Sequence, residues 1–416
     1  MTSLTGMARR RRRLLVRAAS LGVAGLLPPA LDDAPGERYR RGAAAGIGGG
    51  VVPPTTVSLA DYGGAPGAGA ARLVEAFQRA FAALARADGG TLLVPAGVYD
   101  FGRQRHAATI ILCRGLHDIA ISAYGAMFMA TTTANVMPTL FYFFNFRNIT
   151  IAGASFTDPG FSPWIDWRGM HCVGLQADRA SSGFALVDCF AERVVSVLAS
   201  HNHAGSRHYL SNIRVQAEVH HAYYGVGASF LRENIGVELD CHNVRRAFIA
   251  SSIRNADIVI RADSTAAWPG SNGLVALIAP GASMGDVENV RVHVDLAGAG
   301  RYAGVVHFYH QGPEARGRMR HIDATVNLYN VDSAASLFLF DHEVDRIEPT
   351  TARTWDQIAL RGAIVGRFAG RIVSNPSRAM SPGTVYLDYN LAQRQDPTRL
   401  GAGFRIRPAP QRGNRS

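Results

Sequence analysis

The stretch Leu210-Ser211-Asn212-Ile213-Arg214-Val215 decides the fold, because its pattern of apolar residue, any residue, Asn, apolar residue, any residue, apolar residue returns along the chain. Further copies occupy residues 146–151 and 287–292, and looser copies occupy 116–121 and 319–322. Apolar and polar residues alternate within each copy, which is the period of a β-strand and not of a helix. Strand segments that recur in this way indicate a repeat protein.

The spacing of the repeats predicts a solenoid. Asn212 and Asn234 are 22 residues apart, and Asn234 and Asn255 are 21 apart, which is a typical solenoid period. A single strand cannot bury its own apolar face, so successive repeats must stack. Asn suits a turn in each coil because it tolerates left-handed backbone angles, and stacked Asn side chains can pair from coil to coil. The sequence therefore predicts an all-β fold, a single-stranded parallel β-helix.

Basic charge is concentrated at the two ends of the chain. The formal net charge is +11, of which residues 1–50 contribute +6, residues 401–416 contribute +4 and the remainder only +1. A nucleic-acid-binding protein needs a basic patch on its folded body, so we expect no nucleic acid partner. The chain contains no Lys, which excludes Schiff-base chemistry and a P-loop.

The N-terminus has the composition of an export signal. Residues 9–13 are all Arg and precede an apolar stretch that ends near residue 27, too short to span a bilayer comfortably. Arg11-Arg12-Arg13-Leu14-Leu15 is similar to the twin-arginine pattern; the alternatives are a general secretory signal and an unprocessed anchor. We expect an exported protein, periplasmic or extracellular, without stable membrane insertion after processing. The predicted segments are an export signal (1–31), a flexible linker (32–54), the β-helix with its N-terminal cap (55–400) and a disordered basic tail (401–416).

The four cysteines form no CxxC pair, so a zinc site of that kind is not expected. Inside a β-helix they are most simply small buried apolar residues, and the alternative is one disulfide. They are Cys113, Cys172, Cys189 and Cys241.

Residues 57–99 contain a second signature. Tyr62-Gly63 precedes a segment with helical periodicity that includes Gln78 and ends at Gly89-Gly90, and a short strand then leads into Pro95-Ala96-Gly97-Val98-Tyr99. This order resembles the N-terminal signature of the pectate lyase and family 28 glycoside hydrolase superfamily, with good resemblance over residues 57–157. The resemblance implies a right-handed parallel β-helix with an N-terminal capping helix. It does not fix the chemistry, because the superfamily includes hydrolases, lyases, epimerases and phage spikes.

The motifs of the superfamily's polygalacturonase-type hydrolases are missing. Those enzymes use Asn-x-Asp, Asp-Asp, Gly-His-Gly and Arg-x-Lys, whereas this chain has its only Asp pair at Asp32-Asp33 and contains neither Gly-His-Gly nor Lys. We therefore expect an enzyme that cleaves an extended polysaccharide, with lyase-like β-elimination slightly favoured. The alternatives are hydrolysis by another carboxylate pair, a non-catalytic glycan-binding β-helix and an epimerase or transferase.

Catalytic candidates come from a loop and from two consecutive coils. The loop 158–168 is rich in Pro and aromatic residues. An exposed Trp can stack on a sugar ring while a neighbouring carboxylate acts as a general acid or base. The alternative role of this loop is a hydrophobic anchor. The coils supply His and Tyr for proton transfer and two carboxylates that share a strand face; the alternative there is a solvated, salt-bridged surface. The predicted catalytic residues are Asp166, His220, His221, Tyr224, Glu238 and Asp240.

Substrate binding is predicted for a further set. Arg can hold a uronate carboxylate with two hydrogen bonds, and His307 and Tyr309 share one strand face. No HExxH spacing supports a metal site, so we predict no metal ligands and no cofactor, and leave open a bound divalent cation such as calcium. The resemblance makes a homotrimer one candidate assembly. The predicted substrate-binding residues are Trp164, Trp167, Tyr223, Arg232, Arg245, Arg246, His307 and Tyr309.

Overall fold

Strands stack coil upon coil in the computed structural model, and they pair almost entirely with the coils directly before and after. All pairings in the described part of the chain are parallel, which gives the predicted right-handed parallel β-helix. The fold class is therefore confirmed. The structure describes residues 55–163, 168–200, 210–228, 233–264, 271–279, 286–298, 302–310, 317–331, 336–342, 355–375, 385–392, 394 and 406–408.

The larger sheet, sheet A, has 16 strands within the described residues. In the first coils a turn divides it into two rows, and from β11 to β23 each coil crosses it in one long strand. The strands of sheet A are β1 (Thr56–Ser58), β2 (Gly90–Leu93), β3 (Gly97–Gln104), β5 (His117–Ser122), β6 (Ala126–Thr132), β8 (Arg147–Ala152), β9 (Ser155–Thr157), β11 (Ser181–Glu192), β13 (Leu210–His220), β15 (Glu233–His242), β17 (Arg254–Ser264), β19 (Val287–Gly298), β21 (Met319–Tyr329), β23 (Trp355–Val365), β25 (Val385–Leu387) and β26 (Ile406–Pro408).

The second sheet, sheet B, has ten strands within the described residues and takes one strand from each coil. Its strands are β4 (Thr109–Arg114), β7 (Thr139–Phe144), β10 (His171–Gln176), β12 (Ser196–Ser200), β14 (Tyr224–Ala228), β16 (Arg246–Ser251), β18 (Ser271–Ala279), β20 (Tyr302–His310), β22 (Ser336–His342) and β24 (Arg371–Ser374).

The recurring Asn forms a one-residue bend near the start of each sheet A strand. Its backbone is left-handed in every coil where it is described, with φ of 54° at Asn212, 55° at Asn234 and 54° at Asn255. Nδ2 of Asn234 donates to Oδ1 of Asn212 over 3.2 Å, and Asn289 donates in the same way to Asn255 over 3.1 Å. Both predictions for the Asn, the turn and the ladder from coil to coil, are confirmed.

The apolar residues of each repeat form columns inside the coil. One column contains Ile213, Ile235 and Val290, each at most 1 % exposed and in register with the residue of the next coil. All four cysteines are buried and unpaired within this interior, as predicted for small apolar residues. Burial raises the pKa of the Cys189 thiol to about 12, so this thiol stays protonated.

A helix closes the N-terminal end of the coil. Helix α1 (Ala70–Arg86) follows a short 3-10 helix (Leu59–Tyr62) and buries one apolar face. Phe77 on that face lies within 6.3 Å, centroid to centroid, of the rings of Phe101, Phe128 and Phe141. The amphipathic segment thus covers core side chains that an open coil would expose to water. The capping helix implied by the resemblance is confirmed.

The C-terminal end differs from the sequence prediction. Residues 401–416 were expected to be disordered, but Ile406–Pro408 pair in parallel with β25. Three residues are too few to show the alternation that identifies a strand from sequence. A short helix, α2 (Tyr389–Ala392), lies between these elements along the chain. No helix in the described residues combines the length and apolar character that crossing a membrane requires.

Candidate functional site

The outward side chains of the two sheets form two different surfaces. On sheet A, called face A here, the outward positions between the Asn bend and the next turn are mostly charged or polar: β13 presents Gln216, Glu218 and His220, and β15 presents Glu238, Asp240 and His242 in register. On sheet B, called face B here, many outward positions are small or apolar, such as Gly227, Ile249 and Ala276. The chemistry available on the two faces therefore differs.

Loop length also distinguishes the two faces. Near the start of each sheet A strand the chain makes a one-residue bend. The connections that leave sheet B vary in length, from a short turn between Ser251 and Arg254 to a long segment between His342 and Trp355. Function tends to reside in the loops that a rigid scaffold positions. These variable connections run from the end of a sheet B strand to the start of the next sheet A strand, so they lie along the border between the two faces.

Ion pairs fill the centre of face A. Nη1 of Arg261 lies 3.0 Å from Oε1 of Glu238 and 3.1 Å from Oδ1 of Asp240. The two carboxylates that the sequence predicted as catalytic therefore share one cation. The alternative interpretation from the sequence, a salt-bridged polar surface, describes this part of face A well. All three side chains are more than two-fifths exposed, so each ion pair is worth little to stability.

A histidine cluster lies at the edge of face A. Nε2 of His220 is 2.8 Å from Oε1 of Glu218, and the rings of His220 and His242 are 4.4 Å apart. Nδ1 of His242 is 2.8 Å from Asp263, and this hydrogen bond raises the pKa of His242. Two imidazoles and a carboxylate from neighbouring coils thus meet at one point.

Face B holds a histidine whose surroundings are the opposite of those of His242: it is buried, and one ring nitrogen lacks a hydrogen bond within the described residues. His307 on β20 is 3 % exposed, and its Nε2 makes no hydrogen bond within the described residues; the Oδ2 atom of Asp341 is 3.9 Å away. Burial, with the positive charge of Arg246 acting in the same direction, lowers the pKa of His307 to about 4. The imidazole is therefore neutral at physiological pH and has a lone pair or proton unused by the fold.

One aromatic side chain lies against His307, and Arg246 and Tyr224 lie on strands further along sheet B. The ring of Tyr309 lies 5.2 Å from the His307 ring, centroid to centroid, and Tyr309 is paired in register with Asp341. Arg246 on β16 is paired with Tyr224 on β14. Face B thus collects an imidazole, two phenols, a guanidinium and a carboxylate.

Two glycines allow close packing around His307. A Cβ at Gly273 would lie 2.7 Å from Cβ of His307, and a Cβ at Gly304 would lie 2.5 Å from Cβ of Leu339. Gly273 and Gly304 are paired in adjacent strands β18 and β20, so both positions lie where side chains of the next coil leave no room for a Cβ. Any other residue at Gly273 would displace the imidazole.

Tyr223 lies off both faces and holds a loop. It is 4 % exposed, its ring packs edge-on against Phe161, and its hydroxyl donates to the carbonyl of Ser162. The same loop is held from its other end by Asp158, which accepts hydrogen bonds from Thr132 and Gly160. This arrangement supports the anchoring role of the loop. Arg245 lies over the Tyr223 ring at 5.8 Å.

The predicted site residues are thus divided between surfaces. His220, Glu238 and Asp240 lie on face A, while Tyr224, Arg246, His307 and Tyr309 lie on sheet B, and His221 forms the turn between them with a φ of 49°. The remaining predicted residues lie outside the described part of the chain: Trp164, Asp166, Trp167 and Arg232.

Sequence reasoning did not select three residues that complete these clusters. Arg261 and Asp263 follow Asp240 and His242 by 21 residues, the same step that separates Asn234 from Asn255. Applying the coil period to each polar residue would have found both. Gly273 gave no such signal, because its role depends on the side chain of the next coil.

No family model matches this chain. No curated protein matches it either. Among solved structures, it is similar to the endo-xylogalacturonan hydrolase from Aspergillus tubingensis, at 10% identity and a TM-score of 0.39, over 85% of this chain and 99% of that one. It is also similar to PfbA, a surface adhesin of Streptococcus pneumoniae, at 13% identity and a TM-score of 0.41, over 80% of this chain and 91% of that one.

A third similar structure is the A-module of the mannuronan C-5 epimerase AlgE6 from Azotobacter vinelandii, at 10% identity and a TM-score of 0.37, over 76% of this chain and 97% of that one. Likeness at this level carries no argument about activity. The fold assignment rests on the strand pairing of the chain itself.

Proposed function

We propose that this chain is an exported enzyme that cleaves an extended acidic polysaccharide by β-elimination on face B. The observation that supports this most directly is the His307 imidazole, which is buried and makes no hydrogen bond through Nε2 within the described residues. Buried polar atoms are almost always hydrogen-bonded, and an exception calls for an explanation such as a catalytic role. Arg246 supplies positive charge beside it.

In the proposed reaction, His307 acts as the base. Nε2 takes the proton from the carbon next to the uronate carboxylate, and the electron pair of that C–H bond forms a carbon–carbon double bond as the glycosidic C–O bond breaks. A base must be unprotonated at the working pH, and His307 meets this condition at any pH well above about 4. A positioned base of this kind contributes roughly 10²- to 10⁴-fold to the rate.

Arg246 and Tyr309 complete the proposed chemistry. The Arg246 guanidinium binds the uronate carboxylate and stabilises the negative charge that develops on it as the proton leaves. The Tyr309 hydroxyl, whose ring is 5.2 Å from that of His307, donates a proton to the departing sugar oxygen. Gly273 lets strand β18 pass close to Cβ of His307 and so fixes the position of the imidazole.

Hydrolysis by Glu238 and Asp240 is the alternative on face A. A glycosidase needs one carboxyl group that holds a proton and a second that is ionised. Both carboxylates here accept hydrogen bonds from the same Nη1 atom of Arg261, an arrangement that stabilises two negative charges. It gives neither group the separate environment that such an enzyme requires, so elimination is the better supported reaction.

The test is an incubation of the mature protein with a panel of neutral and acidic polysaccharides, followed by ultraviolet absorbance and by new reducing ends. Elimination predicts that both signals rise together on an acidic polymer, because each cut leaves one unsaturated uronate and one reducing end. Reducing ends without absorbance would indicate hydrolysis. Neither signal would favour a glycan-binding protein or an epimerase, which leaves chain length unchanged.

A variant pair makes the test specific for the base. His307→Gln should lower the elimination rate by about 10²-fold or more. His293→Gln is the matched control, because His293 is a histidine on face A, hydrogen-bonded to Asp295. An unchanged rate in His307→Gln, with the control also unchanged, would contradict the assignment of the base.

A further inference from the structure

Face A brings together a set of metal-ligand side chains that is separate from the proposed active site. Glu218 and His220 are two residues apart on β13 and point to the same side. His242 lies directly beside His220 on the next coil. One ligand atom from each of the three side chains lies within 4.8 Å of the other two. Two imidazoles and one carboxylate are thus aimed at a common point.

The spacing of these atoms is close to that of a metal site. Oε1 of Glu218 and Nε2 of His220 are 2.8 Å apart, and the two imidazole centroids are 4.4 Å apart. Zinc bonds to His and carboxylate ligands at about 2.0–2.2 Å, which sets neighbouring ligands in a tetrahedron about 3.3 Å apart. Small rotations of exposed side chains bring three atoms that already lie within 4.8 Å to this spacing.

A second group of contacts fixes the direction of the imidazoles. Both carboxylate oxygens of Asp263 lie 2.8 Å from Nδ1 of His242, so Nε2 is the nitrogen of His242 left for a metal. A carboxylate bound to the far nitrogen of a ligand histidine is the usual partner in metal sites, because it fixes the tautomer and the ring orientation. The Phe190 ring packs edge-on against His220 with centroids 5.1 Å apart.

Charge and access both suit a cation. His220 and His242 are each about a quarter exposed, so an ion can enter from solvent. Glu218 is in register with Asp240, and His242 is in register with Asp263. Arg261, held by Glu238 and Asp240, is the nearest cation that these contacts include. In these contacts between described residues, carboxylates outnumber cations.

We propose that Glu218, His220 and His242 bind a zinc-class divalent cation, with Asp263 as the positioning residue of His242. Two histidines and one carboxylate are a ligand set that zinc uses with a fourth, open position for water. The nitrogen ligands favour zinc, nickel or copper over calcium, which prefers oxygen. The site does not depend on the proposed elimination, because His307 and Arg246 lie on the other sheet.

The spacing explains why motif inspection of the sequence did not find this site. Helical zinc motifs place two histidines four residues apart, on one face of a helix. In a β-helix, ligands share a face when they are two residues apart on one strand or one full coil apart. Here Glu218 and His220 differ by two, and His220 and His242 differ by 22.

The test is calorimetric titration of tag-free, chelator-treated protein with zinc chloride, and separately with calcium chloride. Wild-type protein should bind one zinc ion per chain at this site, and cobalt(II) in its place should give the visible absorption of a nitrogen-ligated, low-coordinate ion. His242→Ala and Glu218→Ala should lose this site. Asp263→Asn should weaken zinc binding by about 10- to 100-fold, the usual effect of removing such a partner.

His293→Ala is the matched control, because His293 is also hydrogen-bonded to a carboxylate on face A but has no histidine of the next coil beside it, since β21 places Thr325 there. This variant should bind zinc as the wild type does. The proposal is overturned if wild type binds no zinc, if His242→Ala and the control bind equally, or if calcium binds to the cluster in preference to zinc. Melting temperatures with and without zinc give a second readout, since a ligand that binds only the folded state raises them.

Discussion

Face A and face B use histidine in opposite ways. On face A, His242 is partly exposed, its Nδ1 is held by Asp263, and its pKa is raised. On face B, His307 is buried, its Nε2 makes no hydrogen bond within the described residues, and its pKa is lowered to about 4. Both residues occupy outward positions of regular strands, His242 on β15 and His307 on β20 two coils later. The difference therefore comes from the neighbouring coils and not from local backbone structure.

This contrast shows that a solenoid can carry two surfaces of different chemistry. From β11 to β24 each coil contributes one strand to each sheet, so a single repeat supplies residues to two surfaces whose chemistry can differ. Arg261 lies between two carboxylates on face A, whereas face B has glycine at two successive outward positions beside His307. The first arrangement satisfies its charges internally, and the second leaves Nε2 of His307 without a hydrogen bond within the described residues.

Removing the cation of face B should have the largest effect. Arg246→Ala should lower kcat/KM on an acidic polysaccharide by about 10²- to 10³-fold, because the variant loses the group that stabilises the developing negative charge. Arg291→Ala is the control, since Arg291 pairs with Asp257 on face A, and its kcat/KM should stay unchanged. Initial rates from ultraviolet absorbance measure both. An equal fall in kcat/KM in the two variants would contradict the assignment of the activity to face B.

The pH dependence of stability should have opposite signs on the two faces. As pH falls below 6.5, a histidine of the unfolded chain is protonated, but His307 in the folded chain stays neutral until about pH 4. Its contribution therefore lowers the free energy of unfolding as pH falls through this window, by about 3 kcal/mol at most. Arg246, Tyr309 and Asp341 are the titratable or charged groups near it.

His242 should behave in the reverse way. Its folded-state pKa is raised by the hydrogen bond with Asp263, so its stabilising contribution is present below the unfolded pKa and disappears as pH rises through the folded pKa. Urea unfolding in the presence of a chelator, at a series of pH values, measures both effects. His307→Gln should flatten the acid decline, and His242→Gln should steepen it. A shift of the two variants in the same direction would contradict the contrast.

A glycine pair tests the packing difference. Gly273→Ala on face B places a Cβ 2.7 Å from Cβ of His307, and forcing an atom into such a site costs about 1–3 kcal/mol. At Gly236 on face A a Cβ meets nothing within 4 Å, and Gly236→Ala should be neutral or slightly stabilising because Gly weakens a strand. Chemical denaturation separates the two. An equal change in the free energy of unfolding for both variants would show that face B is packed no more tightly at Gly273 than face A is at Gly236.

The smallest effect is expected for the ion pairs of face A. Arg261→Ala should change the free energy of unfolding by less than about 1 kcal/mol, because Arg261 and both its partners are well exposed and surface ion pairs contribute little. Raising the salt concentration should reduce even this difference. A loss of several kcal/mol at any salt concentration would mean that Arg261 is part of the structural core of the sheet.

The fold was predictable because every coil repeats the same physical problem. Asn212, Asn234 and Asn255 each take the left-handed bend that their spacing indicated, and the apolar residues of the repeated phrase point inward, as Ile213 and Ile235 do. The capping helix was predictable for a related reason, since an open coil must cover side chains such as Phe77 and its neighbours. Local propensity, periodicity and burial agree throughout these segments.

The site was only partly predictable. The sequence identified His307, Tyr309 and Arg246 as binding residues, but their burial and mutual contacts depend on register across coils with unequal insertions, such as the 34 residues from Asn255 to Asn289. It also placed His220, Glu238 and Tyr224 in one cluster, whereas the turn at His221 divides them between two sheets. A turn of one or two residues changes which surface a side chain joins, and periodicity alone does not report that change.

The most direct test of the account is a crystal structure of the protein with an acidic oligosaccharide bound. The account predicts that the sugar lies on face B, with a uronate carboxylate hydrogen-bonded to Arg246 and the adjacent ring proton facing Nε2 of His307. An oligosaccharide bound along the Glu218–Arg261 surface of face A, with face B empty, would contradict it.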